Sequence, residues 1–232
     1  MKIISKKPEK IILRTEMNYS LLNTIRRSVE EIQTLAINEV EIYKNDSVLY
    51  DEVLAHRMGL VPLRTESKMS AKTNIELALK KTGPCTVYSG DFKGDAKIVY
   101  EKIPLTILEK DQEIELVATA AFGTGISHTK HVPGIIYYRY LFEVKSGNSK
   151  IDAIVQTTRG EISPEKSGSK WICDLTDAQA DEIRMIDPNS IVDAKEILLI
   201  VESFGVMDAD KIFTKAIEVL ENNLVKFEEL IK

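Results

Sequence analysis

A pair of histidines is one of the features of the sequence that could bind a metal ion. His128 and His131 form the run HTKH, and two histidines three positions apart can share a metal ion. A protein metal site usually needs three or four ligands, however, and no Cys or further His stands near this pair. A small cytoplasmic metal-dependent enzyme that uses His128, His131 and neighbouring carboxylates is therefore the alternative interpretation, and an exposed loop is the one we prefer.

The run DEVLAHR at 51–57 also combines carboxylates with an imidazole, as a catalytic acid and base would. Asp51 and His56 are five positions apart, so on a helix they do not share a face well. We expect Asp51 to cap a helix and His56 to make an intramolecular polar contact. Gly123 and Gly125 of FGTG lack the Lys-Ser/Thr pair of a phosphate loop, and we interpret them as turn residues.

The two cysteines limit the cofactors that the chain can hold. Cys85 and Cys173 cannot build a disulfide framework or a four-thiolate metal site. Isolated thiols of this kind are typical of a reducing compartment, where they behave as small apolar groups. We therefore expect a cytoplasmic protein.

Charge and composition indicate which partners to expect. The net charge is −5, because 31 Lys and Arg are scattered among 36 Asp and Glu. A protein that grips DNA by itself presents clustered basic residues to the phosphates, so we expect little direct DNA contact. No stretch approaches the roughly 20 apolar residues of a membrane span, and the N-terminus lacks the apolar block of a secretory signal.

The elements that must position these residues fall into three parts. Both ends contain helical segments, whereas the middle, from about 46 to 170, is punctuated by Gly, Pro and Ser and indicates short strands. This layout predicts an α+β fold and suggests that the ends fold together around an inserted middle. The predicted strands are 10–16, 36–44, 74–80, 85–90, 113–123, 135–144 and 196–204, and the predicted helices are 19–34, 176–186 and 208–232.

The last helix carries apolar residues spaced 4, 3, 4, 3 and 4. That spacing averages close to 3.5 residues, the period of a seam between helices. Burying each side chain contributes about 1.5–3 kcal/mol, so the seam is expected to be covered. Two alternatives stay open, since the helix could pack on the chain's own sheet or part of it could meet another subunit. The seam consists of Phe213, Ile217, Leu220, Leu224, Phe227 and Ile231.

Residues 23–63 carry a more specific pattern, which resembles the signature of the D subunit family of archaeal RNA polymerases. That family includes the third-largest eukaryotic polymerase subunits and, more distantly, the N-terminal domain of bacterial alpha. Its pattern begins N-x-x-R-R and continues with an alternating strand, an acidic pair and an H-R-x-G-L-x-P-L segment. The matching residues are Asn23, Arg26, Arg27, Asp51, Glu52, His56, Arg57, Gly59, Leu60, Pro62 and Leu63.

Three later segments extend the resemblance over most of the chain. GPCTVYSGDFKGD at 83–95 is similar to a G-x-x-x-V-x-S-G-D turn region. The run at 123–134 resembles a loop that usually reads H-A-K-W-x-P, with Thr129 and His131 in place of Ala and Trp. The run VESFGVMDADKIFTKAIEVLENNL resembles the family's closing E-S-x-G strand–helix unit.

The resemblance implies a discontinuous dimerisation domain, residues 1–45 plus 171–232, with a β-rich domain at 46–170 inserted in it. It implies that the chain is non-catalytic, pairs with subunit L and forms the platform for the large catalytic subunits of a nucleotidyltransferase complex, beside other small subunits. A self-sufficient homodimer, as in bacterial alpha, is a third possibility, but HRMGLVPL favours a distinct partner. The predicted interface residues are Asn23, Arg26, Arg27, Phe213, Ile217, Leu220, Leu224 and Phe227.

One departure from the family concerns metal. Many archaeal relatives carry an extra domain that holds iron–sulfur clusters on cysteines, and some eukaryotic ones bind zinc. Such sites need about four thiolates each, whereas residues 146–195, where that domain would lie, contain only Cys173. We therefore expect the cluster domain to be absent or degenerate, its region short and acidic, and the chain to hold neither an iron–sulfur cluster nor zinc.

Overall fold

The computed structural model describes residues 1–66 and 74–231, which form antiparallel sheets with separate helices and confirm the α+β class. Short 3-10 turns lie at Val29–Glu31, Ser89–Asp91 and Thr129–His131. The helices are α1 Tyr19–Ser28, α2 Asp51–Gly59, α3 Ser149–Gln156, α4 Asp177–Ile186 and α5 Ala209–Leu230. The strands are β1 Lys2–Lys6, β2 Lys10–Thr15, β3 Thr34–Asn45, β4 Ile75–Thr82, β5 Cys85–Tyr88, β6 Lys93–Gly94, β7 Pro104–Leu108, β8 Glu113–Gly123, β9 Gly134–Lys145, β10 Glu165–Ser167, β11 Lys170–Cys173 and β12 Ile191–Ser203.

The first sheet brings the two ends of the chain together in the order β1-β2-β12-β9-β11-β10. Its central strand β12 is apolar on both faces, as expected for a strand covered on both sides. Leu199 points into the cluster formed with α1 and α5, whereas Leu198 and Ile200 point into a cluster on the opposite face. The period of two along the strand thus divides one apolar run between two cores.

The second sheet has the order β3-β8-β4-β6 and is packed against α2. Leu54 and Met58 of α2 are fully buried in one cluster with Leu77 of β4 and Leu116 of β8. A two-stranded sheet of β5 and β7 contributes Val87 to the same cluster. This unit therefore has a hydrophobic core of its own.

The two sheets divide the chain differently from the expected boundaries at 45 and 170. β3 pairs with β8 in the second sheet, whereas β9, β10 and β11 belong to the first sheet, where β9 lies beside β12. The crossovers between the two units therefore fall close to residues 34 and 134. Gly, Pro and Ser content measures how often the chain turns, but it does not reveal which strands pair, and this is the physical reason for the difference.

Helix ends follow local capping signals, with several shifts from the predicted bounds. Asn18 caps α1 by accepting a hydrogen bond from Ser20 N at 2.8 Å, and α1 ends at Ser28 rather than 34. Asp208 is the N-cap residue of α5, which ends at Leu230. The predicted end at Lys232 lies outside the described residues.

The region 146–195, where the extra domain of some relatives would lie, contains two helices, two short strands and the start of β12. Helix α3 begins in this region, and Asn148 caps it by accepting a hydrogen bond from Lys150 N at 3.0 Å. Ile151 and Val155 of α3 share a buried cluster with Cys173 and residues of α4. Trp171 donates its indole N–H to Asp152 at 2.7 Å, which ties α3 to β11.

The two units are joined where the chain leaves the second sheet's core. Arg64 Nη1 donates to the backbone oxygen of Gly205 at 3.0 Å, and its Nη2 pairs with Asp208 at 2.5 Å. Thr65 N donates to Val206 O at 2.8 Å. This junction holds the turn between β12 and α5, so it fixes where α5 begins.

We predict that Arg64→Gln lowers the free energy of unfolding by about 1–3 kcal/mol, because it removes a half-buried charged hydrogen-bond pair. Urea denaturation measures the change. The matched control is Arg159→Gln, since Arg159 is exposed and its loss should change stability by less than about 0.5 kcal/mol. Equal effects of the two substitutions would show that the junction contributes nothing.

Candidate subunit interface

Helices α1 and α5 lie side by side on one face of the first sheet. The apolar face of the first helical segment is buried, since Leu22, Ile25, Val29 and Ile32 are each at most 3% exposed. On α5 the fully buried residues are Ala209, Ile212 and Ala216, which the seam pattern did not select. Small and β-branched side chains at this spacing allow the helix to lie close to the sheet, a signal that was present in the sequence.

The predicted seam of α5 is divided between two environments. Phe213, Ile217 and Leu220 are half-buried and pack against the first sheet's helix-side cluster. Leu224 and Phe227 are exposed instead, at 58% and 62%. The seam therefore begins on the chain's own core and continues past it into solvent.

The exposed end of α5 forms what we call the terminal stripe, a group of large apolar side chains within the last eight described residues. Soluble monomers rarely leave such a contiguous apolar patch in water. A helix of this kind also frays unless its apolar face is covered. The terminal stripe consists of Leu224, Val225, Phe227, Leu230 and Ile231.

The N-x-x-R-R residues of α1 are all exposed. Asn23 Oδ1 accepts two hydrogen bonds from Arg26, from Nε at 3.0 Å and from Nη2 at 2.9 Å. This contact orients the guanidinium of Arg26 along the helix. Neither Arg26 nor Arg27 takes part in an ion pair with any other residue that the structure describes, so both charges are free to meet a partner.

The acidic pair of the family pattern, Asp51 and Glu52, begins α2, although Asp51 does not cap the helix as expected. Tyr50, not Asp51, is the N-cap residue, because the chain is still extended at Tyr50 and already helical at Asp51. Asp51 Oδ1 instead accepts a hydrogen bond from Asn45 Nδ2 at 2.8 Å. Asp51 and Glu52 are both exposed in the first turn, where negative charge is favourable to the helix dipole.

The H-R-x-G-L-x-P-L segment is partly structural and partly surface. Arg57 Nη2 donates to Pro104 O at 2.6 Å and so ties α2 to β7. Leu63 is fully buried and forms an isolated antiparallel β-bridge with Ile98, whereas Leu60 is 51% exposed. Gly59 is the last residue of α2, and Pro62 lies between Leu60 and Leu63. The backbone oxygen of Pro62 accepts a hydrogen bond from Val99 N at 3.0 Å.

His56 is the member of this segment whose expected role differs from the structure. We expected an intramolecular polar contact, but His56 is exposed and makes no hydrogen bond to another described residue. It lines a pocket between α2 and β3 together with Gly59, Leu60 and His128. The motif therefore supplies one free imidazole at the surface.

The two loop histidines do not face one another as metal ligands would. His131 is buried, and its Nδ1 lies 3.0 Å from Thr34 O, to which it donates because a carbonyl oxygen only accepts. His128 is exposed, and its Nδ1 accepts from Lys130 N at 3.1 Å. Among residues 1–66 and 74–231, no group of three or more His, Cys, Asp or Glu side chains is placed to hold a metal ion.

Close packing is a further reason for the loop glycines, of which Gly125 lies in a turn as expected and Gly123 at the end of β8. A Cβ on Gly123 would lie 2.5 Å from Nε2 of His131, and one on Gly125 would lie 2.6 Å from a methyl group of Val132. His131, which stands where the resemblance expected Trp, therefore packs its ring flat against Gly123. This pairing was not visible in the spacing of the glycines.

The two cysteines lie in separate hydrophobic clusters. Cys85 of β5 is half-buried beside the second sheet's core, and Cys173 is fully buried under α3 and α4. Burial raises the pKa of the Cys173 thiol to about 12, so this sulfur stays protonated at neutral pH.

In the part of the chain that the structure describes, we find no helix with the length and apolarity needed to cross a membrane.

A family profile described as the RNA polymerase Rpb3/RpoA insert domain matches residues 36–137. The matched range begins in β3 and ends in β9, so it coincides with the second sheet and its α2. The fold and this match define the class: the chain contains a unit similar to this polymerase insert domain, and the segments on either side of that unit share the first sheet.

Similarity to individual proteins narrows the class to a family. DNA-directed RNA polymerase subunit Rpo3 of Natronomonas pharaonis is 32% identical over 90% of this chain and 87% of its own length. That of Methanocaldococcus jannaschii is 29% identical over 94% and 88%. That of Thermococcus kodakarensis is 36% identical over 62% of this chain, and the matched part covers 60% of that relative's own length. The chain belongs to the Rpo3 family of archaeal DNA-directed RNA polymerase subunits, as the sequence pattern predicted.

We predict that the stability of the chain falls between pH 7.5 and pH 5.5 partly because of His131. Burial lowers the pKa of His131 below its ordinary value, and the nearby Lys130 and His128 lower it further, against the hydrogen bond to Thr34 O. The unfolded chain therefore binds a proton near pH 6.5 that the folded chain binds only at lower pH. The stabilisation is complete above pH 6.5 and is lost as the pH falls through the folded value.

Urea unfolding of the natural chain and of His131→Gln at the two pH values checks this prediction. The loss of stability on acidification should be smaller in the variant, because it lacks the group that must charge. An equal loss in both proteins would contradict it.

Proposed function

We propose that this chain is a non-catalytic assembly subunit of a multisubunit DNA-dependent RNA polymerase, working in transcription by pairing with a smaller subunit, subunit L. The terminal stripe on α5 is the observation that carries this proposal. It leaves five large apolar side chains in water at the end of a helix whose first half is already packed on the chain's own core. A second helix laid along this stripe would complete the seam.

The neighbouring surface of α1 supports the same site. Tyr19 and Leu21 are exposed at 45% and 43%, and α1 lies beside α5 on the same face of the sheet. Asn223 of α5 donates to Glu31, beyond the far end of α1, at 2.8 Å, so a partner must reach along α1 to cover both the terminal stripe and these side chains. Together they supply the apolar centre that obligate interfaces usually contain.

The exposed arginines of α1 suit a second contact, with the large catalytic subunits. Arginine forms bidentate pairs with carboxylates, and Asn23 holds Arg26 in a fixed direction before any partner arrives. The relatives are named as subunits of DNA-directed RNA polymerase, which supports such an assembly. The acidic balance of the chain favours protein partners over direct DNA contact, and we infer a cytoplasmic location from the same role.

We further propose that the chain works without a bound iron–sulfur cluster or zinc. The two thiols that could serve as ligands lie in separate clusters, one of them fully buried and protonated. The histidines of the HTKH run are each engaged by a backbone group, so this loop gives no support to a metal-dependent enzyme.

Elemental analysis of the purified chain should show less than about one metal ion per ten molecules.

We predict that Leu224→Asp or Phe227→Asp weakens pairing with subunit L at least about 30-fold, since each change places a charge at the centre of an apolar contact. The chain is co-expressed with the candidate L subunit from the same genome, and the complex is measured by size-exclusion chromatography with light scattering. Because both side chains are exposed in the free chain, neither variant should lose folding stability.

The matched control is Asn222→Asp, which adds the same charge to an exposed position about 200° around the helix from Leu224. It should pair normally. A monomer indifferent to subunit L would refute the pairing, and a homodimer that the stripe variants dissolve would favour self-pairing as in bacterial alpha.

We predict that Arg26→Ala weakens binding of the chain's L complex to the large subunits about tenfold, and that Asn23→Ala does so to a smaller extent because Arg26 loses its support. Co-purification with the whole polymerase measures the effect, with Arg159→Ala as the control. Normal co-purification of Arg26→Ala and Arg27→Ala would show that these arginines are ordinary surface charges.

A further inference from the structure

A pocket of about 240 Å³ lies between the last turn of α2, strand β3 and the loop that contains His128. Two segments singled out in the sequence meet here, since His56 and Leu60 come from HRMGLVPL and His128 and Lys130 from HTKH. Asn38 of β3 completes the polar lining. These elements differ from α1 and α5, so the pocket is a separate site from the terminal stripe.

Lys130 is the unusual group of this pocket. Its side chain is half-buried, its Nζ donates to Ile37 O at 2.9 Å, and it forms no ion pair with any described residue. Lys10 and Lys81 are also half-buried, and they are paired with Glu161 at 2.8 Å and with Asp91 at 2.5 Å. Lys215 of α5 is half-buried without an ion pair to any described residue, but it lies outside this pocket. Burial lowers the pKa of Lys130 with no carboxylate to oppose it. An ammonium in this position is a desolvated charge that lacks compensation.

The remaining polar groups of the pocket are hydrogen-bond donors or can act as donors. Because Nδ1 of His128 accepts from Lys130 N, the neutral ring carries its hydrogen on Nε2, which is therefore a donor. His56 has a free imidazole, and Asn38 has an amide N–H₂. The described residues that line the pocket include no Asp or Glu. The site thus offers donors and positive charge to an anion.

The apolar part of the lining selects between sources of that anion. Ile37, Val40, Ala55 and Leu60 surround the donors. A carboxylate on a short aliphatic stem matches this combination, because its methylene groups can contact the apolar wall while its oxygens reach Lys130. A nucleic-acid phosphate would need a wider basic surface, which this acidic chain does not offer.

We propose that this pocket binds the carboxylate of an Asp or Glu side chain from a partner polypeptide, with Lys130 as its ion-pair partner and His128 and His56 as further donors. The inference rests on the proposed function, since the partner would be another subunit of the polymerase. Because α1 and α5 contribute nothing to the pocket, the partner here is one of the large subunits rather than subunit L.

The test uses the full chain in complex with subunit L and measures its affinity for the large subunits. Lys130→Gln keeps a donor for Ile37 O but removes the charge, and it should weaken binding about 10- to 100-fold. Lys130→Arg should recover most of the loss. Lys102→Gln, at an exposed lysine of the same unit, should bind like the natural chain.

The outcomes separate this inference from the function on which it rests. Pairing with subunit L should be unchanged in every Lys130 variant, and carbodiimide coupling of the assembled enzyme should join Lys130 Nζ, with loss of water, to an Asp or Glu of a large subunit. Binding of Lys130→Gln within twofold of the natural chain would overturn the pocket alone. Failure of the natural complex to bind large subunits would overturn both, and a loss confined to a duplex DNA probe would replace the carboxylate with phosphate.

Discussion

The pairing of β12 with both β2 and β9 is the constraint on which the rest of the structure depends. It joins residues 10–15 to residues 197–202 in register, so the two ends of the chain become one sheet. Leu199 and its neighbours on one face then provide the surface on which α1 and α5 must lie. Everything between β3 and β9 is left to form a second core, which is why the chain has an inserted unit at all.

The length of α5 is the basis of the proposed interface. The sheet and α1 bury the helix through Ala216, and half-bury it as far as Leu220. Beyond Leu220, Asn223 still donates to Glu31 Oε2 at 2.8 Å, whereas the large apolar side chains from Leu224 to Ile231 are exposed. Exposed apolar surface of this size is unfavourable in water, so its persistence in the sequence is best explained by a partner that covers it. The same reasoning, applied to charge instead of apolar area, explains a half-buried Lys130 without a carboxylate.

Many of the helices and strands were predictable from the sequence, because strong periodicity and capping are local signals. The strands from 113 to 123, the helix after Asp208 and the Asn18 cap follow from such signals. The seam on α5 was visible, but its division between the core and solvent was not, since that depends on where the sheet ends. Strand β9 was placed in the wrong unit because pairing is long-range, and the packing of His131 against Gly123 joins residues whose contact depends on the folded loop. The relationship to Rpo3 was readable because its motif residues lie close together in the chain.

Hydrogen–deuterium exchange of α5 tests the central claim most directly. The free chain and its complex with subunit L are compared at the backbone amides of residues 221–230. A covered terminal stripe predicts fast exchange in the free chain and at least tenfold slower exchange in the complex, while residues 209–217 change little because they are already packed on the sheet. Equal exchange of residues 221–230 in the two states would show that subunit L does not cover the helix, and would contradict the account.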